Sequence, residues 1–286
     1  MRQALRFYTL ILGIFLFLVI NVENIPTIYQ QISNESLAAD ILDGYNHSAA
    51  LTEEVYASAL DGLDMTLHPG TSYNESSQSD DRSLNHCKAL VFKTLASVPK
   101  SHGAYIKNLT LYFAEGRRGL GGGSTVILRC SDVTDSELMS VLVHEIAHTV
   151  DTGKNTGSTF AGKSEFMDGS NAIYNDDVSL KFYRISWKNE KTQKEGAQNT
   201  DFVTGYAKTD PFEDFAESYD YYILHGAQFR EMAKYNTQIK QKYLYLKYYI
   251  FAGKEYDNDP YTAVQYLTRY YDSTKLSYDV NQFVKV

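Results

Sequence analysis

The stretch Val141-Leu142-Val143-His144-Glu145-Ile146-Ala147-His148-Thr149-Val150-Asp151 decides how the rest of the chain is read. On a helix, residues i and i+4 lie one above the other, roughly 5 to 6 Å apart at Cβ, so His144 and His148 can reach one metal ion. Glu145 is turned about one residue around the helix and points beside that ion, where it can take a proton from a water. His-Glu-x-x-His at this spacing is the pattern of a zinc-dependent peptidase. A solvated His pair on an amphipathic helix is the plainer alternative. The local sequence weighs against it, because Thr134-x-x-Glu137 predicts a capping box and Leu138, Val141, Leu142 and Ile146 follow at helical spacing, giving a helix over 135–151 whose imidazoles flank an apolar stripe.

The composition describes a folded chain: 43% of its 286 residues are hydrophobic and 22% charged, with 24 tyrosines. That length suits one larger domain or two small lobes once an amino-terminal segment is set aside. A net charge of −8, with no basic stripe, argues against a nucleic-acid partner. Arg2 and Arg6 precede an apolar run over residues 7–20, and no Lys or Arg recurs until Arg82. This asymmetry predicts export, with residues 1–35 a signal peptide or membrane anchor and linker. The run covers about 21 Å against a hydrocarbon core of about 30 Å, which favours a signal sequence. No small-x-small cleavage site follows it, so tethering through 7–20 stays open.

Residues 36–82 read as two helices, the second capped by Thr52, ending in a polar loop over 68–82. Residues 83–286 read as the main domain. In it a helix over 83–98 precedes two β-prone runs, 107–113 and 124–129, expected to form a hairpin with a long flexible glycine-rich tip at 115–123. The tip lacks the Gly-Lys-Ser/Thr ending of a phosphate-binding loop. Thr125 to Arg129, just ahead of the His-Glu-x-x-His helix, is expected to be an exposed edge strand on which an extended peptide substrate adds as a further strand. Cys87 and Cys130 could pair in an oxidising space; the apolar face that Cys87 shares with Leu84, Leu90 and Val91 favours two buried thiols. Residues 153–200 are polar and carry little signal beyond a possible substrate-facing excursion.

A catalytic zinc site takes three protein ligands and leaves a position for water. The metzincin continuation fails at Asp151 and Lys154, and no Gly-Thr-x-x-Asp follows. Downstream, Asp210 is placed to cap a helix with Pro211 at its first position and Gly226 near its end. Glu213 and Glu217, at i and i+4 beside the stripe of Phe212, Phe215, Ala216 and Tyr219, can face the first helix together. Glu213 also sits where a capping-box glutamate would, and Glu217 could be solvated.

His144-Glu145-x-x-His148-x-Val150-Asp151, then Tyr206 and Glu213-x-x-x-Glu217, resembles the catalytic lobe of the anthrax lethal factor type of gluzincin, which includes secreted Pro-Pro endopeptidases. The resemblance covers about 109–251 and is concentrated in those two stretches. It implies that His144, His148 and Glu213 bind Zn2+, that Glu145 is the base, and that Tyr206 offers its phenol to the reacting carbonyl. Glu217 would orient a ligand imidazole, with Asp151 beside the ligand set. The interval from His148 to Glu213 is longer than that family's, so no preference for proline is carried over. The expected fold is α+β, a zincin-like pair of lobes: a small mixed sheet with the zinc helix, and a mainly helical carboxy-terminal lobe with the third ligand. The function expected is an exported zinc endopeptidase; the competing reading is a surface-tethered binding module that keeps the fold without cleaving.

Overall fold

The computed structural model describes residues 53–61, 63, 65–69, 84–257 and 271–284. The apolar run 7–20, the helix expected before Thr52 and most of the polar loop 68–82 lie outside them. Among the described residues no helix is long and apolar enough to cross a membrane. The protein is mixed α+β, with small sheets set among helices.

The largest sheet has four strands: β1 (Thr66–Pro69), β2 (Asn108–Tyr112), β3 (Gly119–Gly122) and β4 (Thr125–Arg129), in the order β1-β2-β4-β3. β2 and β4 run parallel, Asn108 against Thr125 and Tyr112 against Arg129, so they are not the two arms of a hairpin. The glycine-rich segment supplies β3 instead of a flexible tip, and it pairs antiparallel with β4. Thr125 to Arg129 is therefore an interior strand, and β3 is the edge strand beside it. Residues 66–67, expected at the end of a helix, begin β1, which pairs parallel with β2. Alternation places Leu109, Leu111, Val126 and Leu128 in the core.

Helix α1 (Glu53–Asp61) packs on α2 (Leu84–Ser97), and α2 packs on α4 (Asp135–Thr149), which follows the short α3 (Lys100–Gly103) and the sheet. The amino-terminal elements α1 and β1 thus share a core with the rest. Cys87 of α2 and Cys130 at the end of β4 are joined in a disulfide, so the buried pair is not two thiols. Thr134 caps α4 by accepting the Glu137 amide at 3.1 Å. Only this half of the expected box forms, because the Glu137 carboxylate turns to Arg118 at 2.9 Å. The α-helix stops at Thr149, two residues earlier than expected, and continues as a π-turn over Val150–Lys154.

The segment 153–200 contributes the hairpin β5 (Lys163–Asp168) and β6 (Asn171–Tyr174), helix α5 (Leu180–Ser186) and the small hairpin β7 (Trp187–Asn189) and β8 (Thr192–Gln193). Its Phe166, Phe182, Tyr183 and Trp187 are buried, so it is partly core and not simply an excursion. Helix α6 (Pro211–Leu224) is capped by Asp210, whose carboxylate accepts the Phe212 and Glu213 amides at 3.0 and 2.8 Å. Gly226 opens α7 (Gly226–Met232), and α8 (Thr237–Tyr245) runs into a second π-turn over Leu246–Ile250. A short helix, α9 (Val280–Val284), lies furthest along the chain.

Helix α6 is fixed in rotation by a buried ion pair. Lys242 of α8 lies 2.7 Å from Asp214, and the same carboxylate accepts the Trp187 indole N–H at 3.0 Å. Removing one partner of such a pair strands a buried charge, at a cost of about 3 to 5 kcal/mol. Phe215, the next residue, and Tyr219, one turn further along, pack on Phe182, Tyr245 and Phe251. With Asp214 and Phe215 held inward, Glu213 is turned towards α4.

Candidate metal centre

Helices α4 and α6 pack face to face, and the side chains singled out by spacing meet between them. His144 Nε2 lies 3.1 Å and His148 Nε2 3.5 Å from the same oxygen, Glu213 Oε2. One ligand atom from each of His144, His148 and Glu213 can be chosen so that all three lie within 4.8 Å of one another. The two imidazoles cross nearly edge to face, with ring centroids 5.0 Å apart. Glu213 is not the reciprocal half of a capping box: its carboxylate is engaged by the imidazoles and by the Tyr206 hydroxyl, which donates to Oε1 at 3.1 Å.

The electrostatics favour positive charge at this point. Burial alone would push the Glu213 carboxyl up, but hydrogen bonds and charge from His144 and His148 outweigh it and hold the group far below the usual carboxylate range. Burial would likewise lower the imidazoles, yet Glu213, joined at His144 by Glu217, raises both. Two imidazole nitrogens and one carboxylate oxygen gathered around such a point form a donor set that could hold a metal ion.

Glu217 is fully buried behind His144. Its Oε1 lies 3.1 Å from His144 Nδ1. Thr204 Oγ1 donates to its Oε2 at 2.5 Å, and Ser273 donates through its amide to Oε2 at 2.7 Å and through its hydroxyl to Oε1 at 3.1 Å. Asp151, expected beside the ligands, feels the charge of His148. It accepts the Tyr183 hydroxyl at 2.6 Å, and burial, countered by hydrogen bonds from Ser179 and Tyr183, pushes it up to about 7.

Glu145 faces β3. Burial raises its carboxyl, partly countered by the charges of His144 and His148 and by a hydrogen bond from the Gly121 amide. The approach is so close that β3 needs glycine: an ideal Cβ on Gly119 would lie 2.3 Å from Glu145 Oε1, and one on Gly121 2.3 Å from the Glu145 carbonyl oxygen. Alternate glycines in a strand signal another backbone coming close, and Gly119-x-Gly121 carried that signal unread.

These groups open into a cleft of about 760 Å³, walled by β3 and Arg118 on one side and by Phe212, Asp168 and Asn171 on others. In that wall Arg118 donates to Glu137, to Thr274 Oγ1 at 2.6 Å and to Asp272 Oδ2 at 2.6 Å. Thr204, Ser273 and Arg118 were not foreseen, and nothing local in the sequence marks them. Comparison with protein-family models, curated proteins and solved structures returns no match for this chain.

Proposed function

We propose that the protein is an exported zinc endopeptidase with a two-lobed, zincin-like architecture of the gluzincin type that its motifs resemble. The observation that carries this reading is the convergence of His144, His148 and Glu213 from two helices, with Glu145 and Tyr206 beside them. His144, His148 and Glu213 would hold the ion. When bound, zinc supplies Lewis acidity, lowering the pKa of a water and polarising a carbonyl.

The chain's own groups do the remaining work. Glu145, its proton affinity raised by burial, takes the proton from the attacking water and hands it to the departing amine. The Tyr206 phenol is held protonated by burial and by the neighbouring Glu213, so it acts as a donor to the oxyanion as charge develops there. An extended peptide would lie along β3, the outermost strand beside the cleft, in place of the interior strand 125–129. The Cys87–Cys130 disulfide and the amino-terminal charge asymmetry both support an oxidising, exported location.

The test is metal stoichiometry combined with peptide-library cleavage, on wild type and on Glu145→Gln. Wild type is expected to bind one zinc and cleave; Glu145→Gln is expected to keep the metal and lose hydrolysis, because the base is not a ligand. A variant that cleaves at the native rate removes Glu145 from its role. A wild type that holds zinc and cleaves nothing favours the binding module.

A further inference from the structure

Residues 271 to 274 alternate in what they hold. The Tyr271 carbonyl accepts the amide of Tyr206 at 3.0 Å, and Ser273 gives both its N–H and its O–H to Glu217. Between and after them, Asp272 and Thr274 take the two arms of the Arg118 guanidinium, at the start of β3. One short strap therefore touches the backbone of the phenol donor, the acid behind His144, and the arginine at the edge of the cleft.

The lone-pair count on Glu217 gives this strap a specific role. An ionised carboxylate offers about four acceptor positions. Thr204 Oγ1, Ser273 N and Ser273 Oγ fill three, and Oε1, which keeps one position open, lies 3.1 Å from His144 Nδ1, a buried nitrogen with no other partner among the described residues. Those three donors are neutral, and the carboxylate is wholly buried. They fix its plane.

We propose that Ser273 is a positioning residue of the metal centre. By holding both oxygens of Glu217, it keeps Oε1 within reach of His144 Nδ1, so that the ring carries its proton on that side and presents Nε2 to Glu213 and the proposed ion. Arg118 keeps the strap from sliding, since it grips the residues on either side of Ser273. The inference rests on the zinc-binding reading given above and adds to it a residue that lies 56 positions beyond Glu217.

The experiment uses the full chain and two variants, Ser273→Ala and Thr204→Val/Ser273→Ala, with two readouts. Zinc affinity is measured by competition with a chelator, with the thermal midpoint of the metal-free proteins as a check on folding. Affinity is expected to fall about 10-fold in the single variant and towards 100-fold in the double. The second readout is the nitrogen-bound proton signal of the His144 ring in metal-free protein. The slowly exchanging Nδ1–H signal expected in wild type should be lost in the double variant, an effect that loss of packing elsewhere would not produce. Native zinc affinity in both variants, or an unchanged His144 signal, overturns the role of Ser273. A wild type that binds no zinc overturns the proposed function instead, and the ring signal then still decides whether Ser273 sets the imidazole.

Discussion

Gly119 and Glu145 approach each other so closely that a methyl group on residue 119 would lie 2.3 Å from Glu145 Oε1 and 2.7 Å from its Cγ. The obstacle is a side-chain end, which can swing aside. Gly119→Ala is therefore expected to fold and to bind zinc with native stoichiometry while its Glu145 carboxylate is displaced. A misplacement of about 1 Å at a reacting group costs on the order of 100-fold in rate. Peptidase kinetics beside metal analysis check this; a Gly119→Ala enzyme at full activity would show that Glu145 works from another position.

Gly121 meets the same helix differently, because its added Cβ would strike the Glu145 carbonyl oxygen and carbon at 2.3 and 2.9 Å. Backbone cannot swing aside, so strand β3 and helix α4 must separate. Gly121→Ala should lose about 1 to 3 kcal/mol of stability in chemical denaturation, the usual cost of overpacking.

The two acids of α6 should separate cleanly. Glu213→Ala leaves two protein ligands and is expected to lose zinc outright. Glu217→Ala is expected to weaken affinity by about 10- to 100-fold and still load at saturating metal. A Glu213→Ala protein with full zinc, beside a Glu217→Ala protein with none, would move the ligand role to Glu217.

His225 supplies a pH dependence away from the metal site. Burial pushes its imidazole from 6.5 down to about 4, so the folded state holds it neutral. Below pH 6.5 the unfolded chain takes up a proton that the folded chain refuses. The stability tied to this residue is complete above that pH and is lost as pH falls towards 4. Linkage sets the loss at roughly 2 kcal/mol by pH 5. The stability difference between His225→Phe and wild type should be flat above pH 7 and shift in the variant's favour by that amount at pH 5, in urea titrations at each pH.

What the sequence made legible was what short stretches encode. The Thr134 and Asp210 caps, the apolar periodicity of α4 and α6, and the i, i+4 spacing of both His and Glu pairs each depend on a few neighbouring residues, and the structure brings His144, His148 and Glu213 together between those helices. Strand order was not legible. Residues 125–129 look the same as an edge or an interior strand, and only the pairing of the glycine segment distinguishes the two. The cysteines misled for a related reason: an apolar face around Cys87 is equally what a buried disulfide requires, so burial could not separate the alternatives. Glu137 was drawn off its cap by Arg118, a partner that local pattern cannot reveal.

The grip of Arg118 on Asp272 joins residues 154 positions apart. Closing so long a loop is entropically costly, and contacts of high sequence separation slow folding. The same strap brings Glu217 the two donors of Ser273 and gives Tyr206 its backbone tie to Tyr271. Helices α4 and α6 can each form early, from local signals, without their facing side chains being set. The proposed centre is thus complete only when a strap from far along the chain has docked, and in a chain cut between residues 118 and 272 its geometry would rest on how well the two pieces reassociate.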